Sequence, residues 1–290
     1  MPDARRARLG VLAIAVAAAT WGLWGYAIRR AGVAGPHVSC LVLTTIAVVS
    51  APLLPRRWIR DPWCWAALVA TGLTDAGNAT LYFLALSRGP QPVAILSHYL
   101  APLLVAMLTP FFGLGRTPRV TWIALPVAVA GLALLLGRDA LSLGDSLVTA
   151  GLGAASAVFY ALQMLIQKKF ADRLTATELL VWHCLFGALF LLPLAVREPL
   201  PSLDSALWLM GGGIVGGCFA GGLFLWGLPS VSAATAGVLT YLEPLVGVSV
   251  GVLLLGEHLT ALAPLGALLI LAAGVAVVRG AAKPEVVGVA

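Results

Sequence analysis

Charge is scarce in this chain: 12 acidic and 18 basic side chains make up only 10% of its 290 residues, against 60% hydrophobic ones. A mean hydropathy of +0.99 exceeds what a soluble core needs, which excludes an ordinary water-soluble domain and points to a membrane. Cysteine is sparse too. Cys40, Cys64, Cys184 and Cys218 show no CxxC spacing, so they predict small packing residues, neither a disulfide framework nor a zinc site. The sequence has no HExxH and no paired-aspartate motif, which leaves metalloprotease-like chemistry without its residues. The glycine run MGGGIVGGCFAGG (210–222) is not followed by Gly-Lys-Ser/Thr, so a phosphate loop is not expected. Its glycines at 213, 217 and 221 have instead the small-xxx-small spacing by which membrane helices approach closely.

What the chain does have is long apolar runs. A hydrocarbon core about 30 Å thick takes about 20 helical residues to cross. Ten such segments are expected, at 9–28, 36–54, 63–87, 90–112, 119–137, 145–168, 176–196, 204–227, 231–255 and 260–279. They are continuously apolar where strands of a membrane barrel would alternate, so the expectation is an all-α membrane protein. The start, MPDARRARLGVLAIAVAAATWG, imitates a signal peptide, but the apolar run continues through Trp21, Trp24 and Tyr26, which favours an uncleaved first helix.

The net charge of +6 is explained by its placement and calls for no nucleic-acid partner. With the amino terminus inside, the inner segments carry Arg5, Arg6, Arg8, Arg56, Arg57, Arg60, Arg116, Arg119, Lys168, Lys169, Arg173, Arg279 and Lys283. The outer ones carry Arg29, Arg30, Arg88, Arg138 and Arg197. That bias predicts both termini in the cytoplasm.

One architecture is written twice. LYFLALSRGPQPVAILSHYLAPLLV (81–105) lies without gaps over LFLWGLPSVSAATAGVLTYLEPLVG (223–247), with Tyr99, Leu100, Pro102 and Leu103 meeting Tyr241, Leu242, Pro244 and Leu245. A weaker match sets Trp21 over Tyr160 and Arg29-Arg30 over Lys168-Lys169. The halves, 1–140 and 141–290, then hold five helices each. An odd number makes the second half enter the membrane from the opposite side, the inverted-repeat plan of many secondary transporters.

The run LEPLVGVSVGVLLLGEHLTALAPLGALLILAAGV (242–275), with its LEP, LGE and glycine-rich last helix, and the Trp21-Gly22 pair in the first helix resemble the EamA family of the drug/metabolite transporter superfamily. Within it, the size, the short loops and the tyrosines Tyr82 and Tyr99 are most similar to the YddG-type amino-acid exporters. The resemblance implies a carrier for amino acids, aromatic ones included. The arginine common in that family's second helix is absent, and Cys40-Leu41-Val42-Leu43-Thr44-Thr45 stands there instead.

Ionisable groups inside a membrane helix cost roughly 2.5–3.5 kcal/mol at its centre on insertion scales, so each is a functional candidate. Asp75, His98, His183 and Glu243 are such groups. Asp75, Asn78 and Tyr82 fall on one helical face, as do Ser156, Tyr160, Gln163 and Gln167, and both stripes should line protein or water. Trp21 and Trp24 lie too deep for an interfacial belt and could stack on a cation or a ring. Pro102 and Pro244, at equivalent places in the repeats, each remove a backbone hydrogen bond and mark bending helices.

Trp21, Trp24, Asn78, Tyr82, His98, Tyr99, Tyr160 and Gln163 are therefore the candidate substrate contacts. Asp75, Pro102, Glu243 and Pro244 are the candidate coupling or conformational residues, with no catalytic residue, metal or cofactor expected. The rival readings are interhelical glue for Asp75 with Asn78, simple packing for His183 and the aromatics, and an end-capping role for Gly256-Glu257-His258. The expected function is an inner-membrane secondary transporter, multi-pass and monomeric or weakly dimeric, that exports amino acids by alternating access around a central cavity. Export of drugs or other small metabolites, or an intramembrane enzyme built on Asp75 and His98, are the alternatives.

Overall fold

The computed structural model describes residues 2–33, 35–137, 147–256, 258 and 260–281. Arg138, Lys283 and Glu257, which entered the charge and turn arguments above, lie outside the described residues. Among the described residues, fourteen α-helices follow one another: α1 (Pro2–Trp21), α2 (Trp24–Ala31), α3 (Pro36–Ser50), α4 (Pro62–Arg88), α5 (Gln91–His98), α6 (Ala101–Leu108), α7 (Arg119–Leu136), α8 (Leu147–Phe170), α9 (Ala176–Ala195), α10 (Leu203–Gly212), α11 (Gly222–Gly227), α12 (Ala233–Leu239), α13 (Leu242–Leu255) and α14 (Ala263–Ala281).

Among the described residues, 9 helical stretches are long and apolar enough to cross a bilayer. Five join consecutive elements: Arg5–Ala31, Pro36–Leu53, Gln91–Phe112, Leu203–Ser230 and Ala233–Leu254. The longest single helix, α4 with 27 residues, is not one of the nine. Its middle carries Thr71, Thr74, Asp75, Asn78 and Thr80, and those side chains dilute its hydropathy. It packs along α8 and α9. Leu189 at 53%, Leu253 at 80% and Leu268 at 63% exposure give the bundle an apolar exterior suited to lipid and not to water.

Four spans depart from continuous α-helix. The fourth and ninth expected segments stop at Tyr99-Leu100 and Thr240-Tyr241, a few residues before their prolines. Proline cannot donate and its ring clashes with the carbonyl four residues back, here those of His98 and Thr240, so the helix ends there. Pro102 and Pro244 instead stand in the first turns of α6 and α13, where a missing N–H costs nothing. The first span breaks at Gly22-Leu23 without any proline. A Cβ on Gly22 would lie 2.6 Å from Val246 Cβ and 2.7 Å from the Glu243 carbonyl oxygen, so the break falls where α1 crosses the start of α13. In the eighth span, Gly213–Gly221 winds as a π-helix. Such wide turns are rare and recur at functional positions.

Close contacts sort the two ends of the bundle. At one end Gly10 lies against Gly227 and Ser230, and Lys168 Nζ donates to the Leu228 and Pro229 carbonyls at 2.8 and 2.9 Å. There Arg57 Nε also donates to Glu178 Oε1 at 2.8 Å, and Arg173 pairs with Asp61 at 3.3 Å. At the other end Ser205 Oγ donates to the Ala31 carbonyl at 2.7 Å, and Gly137 approaches Thr260.

Candidate functional site

A cavity of about 810 Å³ occupies the middle of the bundle. Its lining extends to Arg29, Gln91, Leu136, His258 and Thr260, all at the Ala31 end, and includes none of the residues that close the Lys168 end. Among the described residues the cavity therefore opens one way only. The sequence's candidates Trp21, Trp24, Asp75, Asn78, Tyr82, His98, Tyr99, Pro102, Tyr160, Gln163, Glu243 and Pro244 all line it. Gly256 ends α13 with a left-handed φ of 70°, and exposed His258 stands at the mouth.

One aromatic group in the cavity is built by α4, α5 and α8. The Tyr82 and His98 rings are 4.3 Å apart, and His98 also meets Tyr99 at 5.5 Å and Tyr160 at 5.6 Å. The histidine is oriented from the other side, with Nδ1 2.8 Å from Ser156 Oγ. Ser156 Oγ also lies 2.7 Å from the Gly153 carbonyl; with its proton on that carbonyl the ring Nδ1 donates to Oγ, and with its proton on the ring Nδ1 accepts. The helical stripe Ser156, Tyr160, Gln163 thus acts as a unit, one residue orienting His98 and the next two facing the space.

Behind the pair of helix breaks, Tyr241 is fully buried and its hydroxyl donates to the Tyr99 carbonyl at 2.7 Å. That bond satisfies a carbonyl released where α5 ends. The reciprocal bond is not made: the Tyr99 side chain is a hydrogen-bond partner of Glu243. The repeat counterpart of Glu243 is Ala101, so the two halves are equal in backbone and unequal in charge.

Trp21 is held by its polar edge. Nε1 donates to the Gly216 carbonyl in the π segment at 2.7 Å, and the ring packs on Phe224 at 5.1 Å. The Trp24 ring fits against Gly212, where a Cβ would lie 2.5 Å from Cζ3. Trp21→Phe is expected to lower the thermal unfolding midpoint by about 2–4 °C, the cost of about 1 kcal/mol for one lost hydrogen bond in a chain of this size. Scanning fluorimetry of the purified protein in detergent reads this directly.

His183 lines the cavity as well, where the sequence offered it as an ionisable candidate and favoured packing. Its Nδ1 donates to the Leu179 carbonyl at 2.6 Å, and its Nε2 faces Asp75 Oδ2 at 3.6 Å and Cys184 Sγ at 3.5 Å. Its flanks on α9 are apolar, so no pattern along the chain could reveal a partner on α4. The sequence Gly247-Val248-Ser249-Val250-Gly251 also spells GxSxG, but Ser249 lies inside α13 and donates to the Leu245 carbonyl at 2.9 Å. It stands on no strand-to-helix turn and is not a nucleophile elbow.

The profile of the EamA-like transporter family matches twice, over residues 8–137 and 148–279. The chain belongs to the EamA-like transporter family. An uncharacterized transporter of Archaeoglobus fulgidus is 29% identical over 192 residues, covering 66% of this chain and 68% of that protein. The uncharacterized transporter YwfM of Bacillus subtilis is 25% identical over 256 residues, covering 84% and 83%. A solved crystal structure superimposes with a TM-score of 0.81 at 23% identity, covering 95% of this chain and 98% of the other, a likeness of fold alone. This EamA-like protein is a multi-pass membrane transporter whose two matched repeats meet around the cavity described above.

Proposed function

We propose that this EamA-like protein is a secondary carrier that exports amino acids, aromatic ones included, by alternating access of its two halves. The observation that carries this reading is the cavity. It is open to one end only, sits where the broken helices of both repeats cross, and is lined by tyrosines and tryptophans beside Asn78 and Gln163. Aromatic walls accept varied side chains, while a few fixed polar groups hold what the substrates share. Broken helices at a repeat interface are the recurring seat of substrate in such carriers.

In this reading α4 is a tenth span, since 27 residues at about 1.5 Å each exceed the hydrocarbon thickness. Halves of five helices, divided near residue 140, are then inverted. The basic bias puts the Lys168 end and both termini in the cytoplasm of a bacterial-type inner membrane, so the cavity faces outward. The chain works as a monomer or a weak dimer. Pro102 and Pro244 set the bends, and Asp75 and Glu243 handle the coupling proton.

The test is flux in proteoliposomes with a panel of labelled amino acids and cationic drugs, under a pH gradient. Amino acids should move, and Glu243→Gln or Asp75→Asn should flatten the pH dependence of flux. If a drug moves and no amino acid does, the substrate reading is wrong; if both variants keep the wild-type pH profile, the coupling reading is.

A further inference from the structure

The charge inside the cavity is one-sided. Among the described residues that line it, the carboxylates are Asp75 and Glu243, and the guanidinium is Arg29 at the mouth. Among the described residues, no lysine or arginine lines the cavity beside the aromatic group. A substrate carboxylate at that depth would meet like charge in a poorly solvated place, whereas a cation would find acceptors.

Asp75 and Gln163, bonded to each other, and Asn78 one turn along α4 line the same cavity. The Asp75 side chain keeps 17% exposure, so it is open to the cavity. The Gln163 side chain hydrogen-bonds it from α8. One turn along α4, the Asn78 Oδ1 atom is buried and has no hydrogen-bond partner, although buried carbonyl oxygens are nearly always satisfied. Another turn on stands Tyr82, its ring 4.3 Å from that of His98, and Tyr160 lines the same cavity from α8. The contact of Asp75 with His183 is loose: Nδ1 of the ring donates to the Leu179 carbonyl while Nε2 stands 3.6 Å from Oδ2, beyond a hydrogen bond.

We propose that Asp75, Asn78 and Gln163 form a subsite for the ammonium group of the substrate, so that the transporter takes organic amines and recognises its cargo by the amine and not by a carboxylate. An ammonium has three donors and no acceptor. Asp75 and the two amide oxygens supply what it needs, and the tyrosine rings add cation–π attraction. His183 is the partner the ammonium displaces from Asp75. A substrate carboxylate, where present, points up the cavity toward Arg29. The inference rests on the carrier reading above and narrows it to amines.

Three probes built on one phenylethyl core decide the matter: phenethylamine, phenylalanine and 3-phenylpropanoate, titrated by calorimetry against the full chain in lipid nanodiscs. Phenethylamine and phenylalanine should bind, and 3-phenylpropanoate about ten-fold more weakly or worse, the scale of one charge-assisted hydrogen bond. Asp75→Asn should weaken phenethylamine by about ten-fold or more, with Asp75→Glu recovering part of it, and Asn78→Ala should weaken it by several-fold. The wild-type comparison stands even if a variant fails to fold. Equal binding of 3-phenylpropanoate, no binding of phenethylamine at about 10 mM, or a folded Asp75→Asn with unchanged affinity would overturn the proposal. Amine binding with no labelled phenylalanine flux would remove the amino-acid reading and keep the subsite. Phenylalanine flux insensitive to Asp75 would do the reverse.

Discussion

Replacing Glu178 with alanine is expected to lower the thermal unfolding midpoint by roughly 8–16 °C. Glu178 is 2% exposed and sits in the first turn of α9, where it accepts from the Thr175 backbone N–H at 2.8 Å and from Thr175 Oγ1 at 2.9 Å. Thr175 in turn accepts from the Glu178 N–H at 3.2 Å, which closes a capping box. Arg57 completes the arrangement with a two-pronged bond from the other half of the molecule, and the carboxylate pushes that guanidinium further above its ordinary range.

Breaking a buried pair costs about 3–5 kcal/mol, but half of the Arg57 side chain is in water, so its share is screened and the lower part of that range applies. Loss of the cap adds about 1 kcal/mol. A double-mutant cycle with Arg57→Ala separates the two contributions: a coupling of about 1 kcal/mol or more assigns the effect to the pair across the halves, and a coupling near zero assigns it to the cap. Because the pair ties the 54–61 loop to the start of α9 at the closed end, Glu178→Ala should also speed hydrogen exchange in that loop. Unchanged exchange there would mean that the Lys168 contacts hold this end shut on their own.

The sequence makes the repeat and the polar faces of α4 and α8 legible for different reasons. Tyr99, Leu100, Pro102 and Leu103 recur in register at Tyr241, Leu242, Pro244 and Leu245 because a bent helix needs the same residues in either half. Asp75, Asn78 and Tyr82 reveal a face because helical periodicity is local. What stays hidden is pairing across helices. Nothing near His183 announces Asp75, and nothing near Trp21 announces the Gly216 carbonyl, since both depend on how distant segments cross. The break at Gly22 is hidden for the same reason, because it is imposed by the approach of Val246 and Glu243. The helix ends before Pro102 and Pro244 were displaced from the prolines themselves, since the clash falls on the carbonyl four residues earlier.

Tyr241→Phe and Tyr99→Phe are expected to differ in a way that only an exchange between the repeats produces. In the present state, open toward the Arg29 end, the Tyr241 hydroxyl holds the Tyr99 carbonyl at 2.7 Å while the Tyr99 side chain is bonded to Glu243. If the halves trade conformations as the cavity turns over, the Tyr99 hydroxyl takes the Tyr241 carbonyl. The Tyr241 hydroxyl then finds Ala101 where a carboxylate would have to be. Tyr241→Phe therefore orphans a buried carbonyl in the present state alone, at about 1–3 kcal/mol, and should move the balance about ten-fold toward the opposite-facing state. Tyr99→Phe removes one bond from each state, so it should lower overall stability and leave the balance much closer to wild type. Hydrogen exchange at residues 168–178 and 228–230 reads the difference, rising in Tyr241→Phe and changing little in a folded Tyr99→Phe. Equal exchange in the two variants would show that the paired helix breaks are fixed supports and not moving parts.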